Sequence, residues 1–293
     1  MMEAHNVTPM RLREASPTMI IISLLAILSA AAVLRITFTA PSNNRNWKPE
    51  FTVLPEIERN GDLVTISNVR DWRYDPDGPI STERIRRTVD LNDIRRVWFV
   101  TEPFEKWDAV AHTFLIFDFG NTEPLVFSVE ARGEVGEEFD AIAGAFRHYE
   151  LAYLLGTERD LLVRRAVFLK NRLYMYPIAT EDGFPKHLLS DLLDTTEDIA
   201  KHPRFYNTLL HNCTSALAKS ANRTTPGSVP WDISYILPGY APSFLHKLGY
   251  IPEETDTAQA MERHRIDDFV KKLAPRDDFS EALRNLAAAR RDS

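Results

Sequence analysis

The one cysteine of the chain, Cys213, stands in the run Tyr206-Asn-Thr-Leu-Leu-His-Asn-Cys-Thr-Ser-Ala-Leu-Ala-Lys219. Asn212 is a favoured N-cap residue and the small residues after it suit a closely packed helix. The thiol is therefore predicted in the first turn of a helix that begins at Asn212 or Cys213 and runs to about Ala221. The positive end of a helix dipole favours a thiolate, and a neighbouring imidazole lowers the thiol pKa further, giving a nucleophile near neutral pH. A buried, inert cysteine is the competing reading, since free cysteine is among the most buried residue types. A lone cysteine leaves no internal disulfide and no multi-cysteine zinc site.

A nucleophile of this kind needs a base. His112 lies inside the apolar segment Ala109 to Phe119 (AVAHTFLIFDF), where an imidazole has no packing advantage and is costly to bury unpartnered. Glu130, on the segment expected to pair with it, is the candidate carboxylate to fix its tautomer, as in other sets of nucleophile, base and orienting group. A satisfied core histidine is the alternative for His112. His211 competes for the base role because it adjoins the cysteine, but adjacent side chains on a helix or turn diverge, so it ranks below His112. A metal site built from His112, His211 and a carboxylate has no recognisable spacing; no metal and no cofactor is expected.

These residues need a scaffold. Leu63 to Asn68 (LVTISN) and Arg95 to Thr101 (RRVWFVT) alternate like half-buried strands, and the arginine-rich stretch Arg70 to Arg87 lies between them. Ala109 to Phe119 and Leu125 to Arg132 (LVFSVEAR) are predicted to form a β-hairpin around Gly120-Asn121. Glu137 to Leu155 carries Phe139, Ile142, Phe146, Leu151 and Leu155 at helical spacing, and Ala166 to Ile178 has the composition of a strand. His187 to Ala200 is an amphipathic helix stopped by Pro203. The fold class is α+β, an antiparallel sheet packed with helices.

The N-terminus sets where this scaffold works. Arg11 and Arg13 precede an uncharged run from Thr18 to Leu34 that spans about 25 Å as a helix, close to a bilayer core. Arg35 follows, with a stem long enough to snorkel, and the preceding arginines favour an N-terminus kept in the cytoplasm. The division expected is a cytoplasmic N-terminus at 1–17, a transmembrane helix at 18–36 and a linker at 37–46 (Pro41 to Asn46 is polar and turn-forming). An α+β domain at 47–250 on the periplasmic side of a bacterial inner membrane follows, then a charged helical tail at 251–293, loosely docked. A cleaved signal with a site around Ala30 to Ala32 is the alternative, although such apolar regions usually span ~7–15 residues. With 293 residues the domain can bury its core without disulfides, and a formal charge of -7 gives nucleic-acid binding no electrostatic support.

Several motifs in one order carry a family resemblance: Trp47-Lys-Pro-Glu, Val69-Arg-Asp-Trp-Arg-Tyr74, Ala111-His-Thr-Phe-Leu-Ile-Phe117, Ser128-Val-Glu-Ala-Arg132, Glu158-Arg-Asp160 and Phe205-Tyr-Asn-Thr-Leu-Leu-His-Asn-Cys-Thr214. From Trp47 to about Ala221 the chain resembles the Lnb N-terminal periplasmic domain family, named for a lipoprotein N-acyltransferase thought to work through a cysteine and a histidine. A histidine strand ahead of an Asn-Cys helix is also similar to permuted papain-like enzymes such as lecithin retinol acyltransferase. The resemblance implies thiol acyl chemistry, with Cys213 as nucleophile, His112 as base and Glu130 as third polar residue. Asn212, His211, Tyr206 and Arg132 stand as supporting candidates, Arg132 matching the strand-end pattern only loosely. It further implies membrane phospholipid as acyl donor and an amine, such as a diacylglyceryl lipoprotein N-terminus, as acceptor. A peptidase or amidase acting on cell-wall amides and a non-catalytic binding module are the alternatives.

Three other features have less to say. Arg84, Arg86, Arg87, Arg95 and Arg96 read as a solvated face paired with local acids, contact with anionic headgroups being the alternative, at about 1 kcal/mol per residue. Glu158-Arg159-Asp160 suits a buried ion-pair network or a substrate contact. Trp231 to Tyr250, with Pro238 and Gly239, is expected to pack normally rather than form a lipid-facing loop or lid.

Overall fold

The computed structural model of the chain describes residues 16–104, 107–120, 122–252, 255 and 257–291. Arg11 and Arg13, on which the cytoplasmic N-terminus rests, and Asn121 of the hairpin loop lie outside the described residues. Two compact units are formed, Met1–Ala40 and Pro41–Ser293. In the first, helix α1 (Pro17–Phe38) starts on an N-cap, Ser16, whose hydroxyl accepts the Met19 N–H at 3.3 Å. Pro17 occupies the first helical position, where its missing N–H costs nothing. No residue of α1 is buried, its mean hydropathy reaches 2.5, and at about 1.5 Å per residue its 22 residues match a bilayer core.

The second unit is built on a twisted sheet. After a short turn at Pro49–Phe51 come β1 (Glu56–Asn60), β2 (Leu63–Asp75) and β3 (Gly78–Asp90). Next are β4 (Arg96–Phe104), β5 (Trp107–Asp118), β6 (Leu125–Arg132), α2 (Ala141–Ala145) and β7 (Glu150–Thr157). Helix α3 (Glu158–Val163) runs into a π-helical turn at Arg164–Phe168 and is followed by β8 (Tyr174–Ile178). The remaining helices are α4 (Phe184–Lys201), α5 (Cys213–Thr224), α6 (Ala241–Lys247), α7 (Ala258–Glu262), α8 (Asp267–Leu273) and α9 (Phe279–Arg291). The strand order is β1-β2-β7-β6-β5-β4-β8, with β3 on β2. Every pairing is antiparallel except β2 with β7, which meet in parallel at Arg70 and Gly156.

Strand alternation divides the core in two. Val97, Phe99, Leu115, Phe117 and Phe127 face one side, where they bury Leu188, Leu189, Leu192 and Leu193 of α4 and Leu217 of α5. Their neighbours Trp98, Val100, Phe114, Ile116 and Val126 face the other, against Leu161 and Leu162 of α3, Val270 and Leu273 of α8, and Leu283 of α9.

The hairpin of β5 and β6, the helix α4 and the helix α5 lie where the sequence puts them. Four expectations are corrected. The helical spacing across 137–155 yields only the five-residue α2; Glu150–Thr157 is a central strand buried at every position, and a strand apolar on both faces mimics helical periodicity. Residues 166–178 are strand only from Tyr174, because Arg164–Phe168 continues α3 as a π turn. Pro41–Asn46 is no free linker: Asn43 Nδ2 donates to Ala200 O at 2.8 Å, and Arg45 pairs with Glu150 at 2.8 Å. The tail is firmly docked, since Val270, Leu273, Phe279, Leu283 and Ala287 complete the second core.

Candidate active site

β5 pairs with β6 only from Phe114–Ser128 to Phe117–Leu125, whereas β6 stays paired with β7 out to Arg132. Beyond Phe114 and Ser128 the strands part. A cleft of about 290 Å³ opens there, lined by Val110, Ala111 and His112 on one strand and Val129, Glu130 and Ala131 on the other.

The start of α5 is set against this opening. Asn212 and Ser215 form a reciprocal capping box, the Asn212 Oδ1 accepting the Ser215 N–H at 2.8 Å and the Ser215 Oγ accepting the Asn212 N–H at 3.0 Å. The Asn212 amide also donates to Thr208 O at 2.7 Å and Tyr235 O at 2.6 Å, so it joins the segments on both sides of the helix start. Thr214 and Thr113 hydroxyls meet at 2.9 Å and fix α5 to β5. Cys213, in the first position of the helix, reaches the cleft with its sulfur 4.0 Å from Ala111 O.

Cys213 belongs to the core of the α4–α5 side, while His112 shares the side of Phe114, 5.7 Å away ring to ring. Only where the sheet is split can the two meet, and there both line one cleft, close enough for thiol and imidazole to shift each other's ionisation. His112 Nε2 lies 2.8 Å from Ser128 Oγ and 3.3 Å from Glu130 Oε1. Ser128 donates its only proton to Glu130 at 2.6 Å, so its oxygen accepts from Nε2–H. Nε2–H is thereby committed to Ser128 and Glu130.

Behind Glu130 stands Arg165, from the π turn. Its Nη2 donates to Glu130 Oε1 at 2.8 Å, its Nε to Glu102 Oε2 at 2.9 Å and its Nη1 to Leu161 O at 3.1 Å. The guanidinium also lies over the Phe114 ring at 4.7 Å. Glu102 is held in turn by Asn171 Nδ2 at 2.6 Å. Arg165 is 2 % exposed, and a cation so deep requires its two carboxylates.

The charges follow from this packing. Burial opposes the His112 cation, but the Glu130 charge, with hydrogen bonds to Cys213 and Glu130, outweighs it and raises the pKa to about 10. Burial likewise opposes ionisation of Glu130 and Cys213. The His112 charge and hydrogen bond, with Arg165 and Ser128, hold Glu130 well below the usual carboxylate range, and the His112 hydrogen bond and charge bring the thiol below its ordinary value. Both shifts act in the direction of a thiolate beside an imidazolium.

Of the supporting candidates, Asn212 and Tyr206 line the cleft. Burial, then the nearby Cys213 and Glu130 charges, push the Tyr206 phenol far up, so it stays protonated. His211 is exposed and turned to Lys219 Nζ at 3.3 Å, not to the cysteine. Arg132 is not in the cleft: it donates to Phe51 O at 2.8 Å and Asn43 Oδ1 at 2.9 Å and covers Trp47 at 4.1 Å, fastening the segment that begins at Pro41. Sequence reasoning missed Ser128, Glu102 and Arg165 as members of the site; an arginine among Leu161, Leu162, Val163 and Ala166 was the available signal.

Other charged groups are structural. Asp160 binds Arg70 through both oxygens, at 2.8 and 2.7 Å, and Glu158 binds Arg284 at 2.6 Å. Of the arginines read as a solvated face paired with local acids, Arg86 pairs with Glu58, whereas Arg84 and Arg87 are half-buried and donate to the backbone carbonyls of Glu50 and Pro124. Among the described residues no cluster of three or more His, Cys, Asp or Glu is placed to hold a metal ion.

Comparison with known families gives a match to the Lnb N-terminal periplasmic domain over residues 81–239, more than half of the chain. Comparison with curated proteins and with solved structures gives no match. The matched stretch runs from β3 to the turn before α6 and contains His112, Glu130, Arg165 and Cys213, while α1, β1, β2 and the last four helices lie outside it. The chain belongs to the Lnb N-terminal periplasmic domain family and, with its bilayer-length apolar helix, is a membrane-anchored protein with a periplasmic domain.

Proposed function

We propose that the cleft is the active site of a thiol acyltransferase at the outer face of the inner membrane. Its donor is a membrane phospholipid and its acceptor an amine such as the N-terminus of a diacylglyceryl lipoprotein. The observation that carries this reading is the placement of Cys213 and His112 in one cleft at the split between β5 and β6, with Glu130 behind the ring. The order of histidine strand and Asn-Cys helix agrees with a permuted papain-like arrangement.

The Cys213 thiolate attacks the ester carbonyl carbon, forming a C–S bond, and the tetrahedral oxyanion is met by the Cys213 and Thr214 N–H groups at the start of α5, which lack acceptors within the helix. The C–O bond then breaks, and the His112 imidazolium gives its proton to the departing lysophospholipid oxygen. The neutral ring next takes a proton from the attacking amine. Amide forms, the C–S bond breaks, and thiolate and imidazolium are restored. Glu130 and Arg165 hold the ring through both steps.

An apolar cavity of about 80 Å³ behind α5, between Phe99, Leu115, Leu217, Ala218 and Phe244, favours an acyl group over a peptide as the transferred part. The test is incubation of the full chain with phospholipid labelled in its acyl chain. A hydroxylamine-sensitive label on the protein is expected, and none in Cys213→Ala. Label surviving in Cys213→Ala overturns the assignment of the nucleophile. Cleavage of muropeptides without acyl trapping would instead identify a peptidase or amidase.

A further inference from the structure

Two banks of exposed apolar side chains flank the cleft. On one, α2 and the 207–211 loop are tied together by Thr208 Oγ1 donating to Ala141 O at 2.7 Å and Asn207 Nδ2 donating to Ala145 O at 3.0 Å. Ala141 and Thr208 line the cleft, and beside them Ile142 and Leu210 are 75 % and 67 % exposed. On the other bank, Ile236 and Pro238 line the cleft, and Trp231, 72 % exposed, leads into the same segment with Ile233 and Tyr240. The expectation that Trp231 to Tyr250 packs normally holds for Tyr235 and Ala241 but fails for these three.

Exposed apolar residues scattered singly need no explanation; gathered around one opening, they mark a surface that meets something apolar. The banks are rigid. Asn212 bonds to both, and Gly239 lies so close to β5 that a Cβ there would collide with the Asp108 carbonyl oxygen.

We propose that this rim is a bilayer-docking surface that sinks into the headgroup region of the membrane and opens the cleft directly onto lipid. The chain itself argues for this occupant. Residues 39 and 40 alone separate the end of α1 from the folded unit, so at about 3.5 Å per residue Pro41 stays within about 10 Å of Phe38 in any arrangement. The same segment then supplies Lys48, Glu50 and Phe51 to the cleft wall. Glu138 and Asp140 on the first bank oppose anionic headgroups, so the surface suits zwitterionic lipid. Amphipathic Trp and Tyr side chains are those favoured at such an interface. The inference stands apart from the chemistry of Cys213.

Helix α1 contains no tryptophan, Trp47, Trp72 and Trp98 are buried in the domain, and the fifth tryptophan, Trp107, is removed by Trp107→Phe in every protein tested. The test is therefore the tryptophan fluorescence of the full chain in phosphatidylcholine vesicles whose acyl chains carry bromine, compared with unbrominated vesicles. Quenching by bromine is expected, with most of it lost in Trp231→Phe. The double variant Ile142→Asp, Leu210→Asp is expected to weaken it and to raise quenching by aqueous acrylamide, with unchanged circular dichroism because both sites are exposed. Equal emission in the two kinds of vesicle overturns the proposal. So does acrylamide shielding of Trp231 that grows only with protein-to-lipid ratio, which would mark an interface between copies. Cys213→Ala is expected to be quenched like the native chain, so loss of acyl trapping with quenching intact sinks the chemistry alone.

Discussion

The two sides of the sheet are built from different materials. On the side of α4 and α5 nearly everything is hydrocarbon, and the one reactive atom is the thiol that a helix start carries to the cleft. On the side of α3 and the C-terminal helices, large aromatics enclose charge: Arg70 with Asp160, Arg284 with Glu158, and Arg165 between Glu102 and Glu130. Each side alone is chemically idle. A thiol in hydrocarbon stays protonated, and an imidazole in a charge network has nothing to activate. The parting of β5 from β6 brings the two to one cleft, and in the proposed mechanism the low-dielectric side carries the attacking thiol while the ionic side holds the group that moves protons.

If this division is right, removing the thiol does the most damage. Cys213→Ala is expected to lower turnover by about 10⁶-fold, as loss of other enzymatic nucleophiles does, measured as transfer of a labelled acyl chain to an amine. His112→Asn leaves the thiol in place without its proton partner, and a loss of roughly 10²–10⁴-fold is expected.

The pH response separates the two sides further. Because the His112 pKa is raised to about 10, the imidazolium and the leaving-group protonation it provides are present through neutral pH and lost as pH rises through that value. The native thiol is expected to react with iodoacetamide below the ordinary thiol pKa of 9.0. In His112→Asn burial is opposed only by the hydrogen bonds from Thr113, and alkylation is expected to need more alkaline solution. The linked stability has the same sign: the His112 contribution is complete below its ordinary 6.5 and disappears as pH rises through about 10. That of Glu130 is present above 4.5 and disappears on acidification. An unchanged alkylation profile in His112→Asn would mean that the charge network does not reach the thiol.

Stability tests the ionic side by itself. Asp160→Asn leaves Arg70, 2 % exposed, without its carboxylate, and a loss of about 3–5 kcal/mol in urea unfolding is expected. Leu283→Ala in α9 is expected to cost about 2–5 kcal/mol, since its side chain is fully buried. A loss under 1 kcal/mol would show that the tail contributes little to the second core.

The sequence made the hydrocarbon side and the reactive pair legible and left most of the ionic side hidden. Cys213 was visible because Asn212 caps a run of small residues, and His112 because an imidazole interrupts an apolar strand. Glu130 followed from hairpin pairing. Arg165 could not be told from Arg164, its neighbour in a run of two, because full burial of one and half-burial of the other depends on a π turn that no local pattern encodes. The tail was misjudged for a related reason: Val270, Leu273, Phe279 and Leu283 are spaced among charges, and only the open side of a sheet formed far upstream gives them a partner. The apolar middle of β7 misled in the opposite direction, since periodicity cannot distinguish a strand covered on both faces from a helix.

The smallest effect expected concerns chain length, and it sharpens the hydrocarbon half of the comparison. Ala218 is a buried residue of α5 that faces the apolar cavity with Leu217, one turn beyond Cys213. Ala218→Leu adds three carbons to that space. Were the cavity a mere packing defect, filling it would stabilise the fold or strain it by about 1–3 kcal/mol and change transfer of all acyl chains alike. If acyl carbons enter it, long chains lose contacts that short ones never make. At about 0.8 kcal/mol per excluded methylene, two displaced carbons amount to a ratio of roughly 15-fold in kcat/KM between a long-chain and a short-chain donor. Competing the two donors in one reaction reads that ratio directly, and an unaltered preference would remove the cavity from the description of the site while leaving Cys213 and His112 untouched.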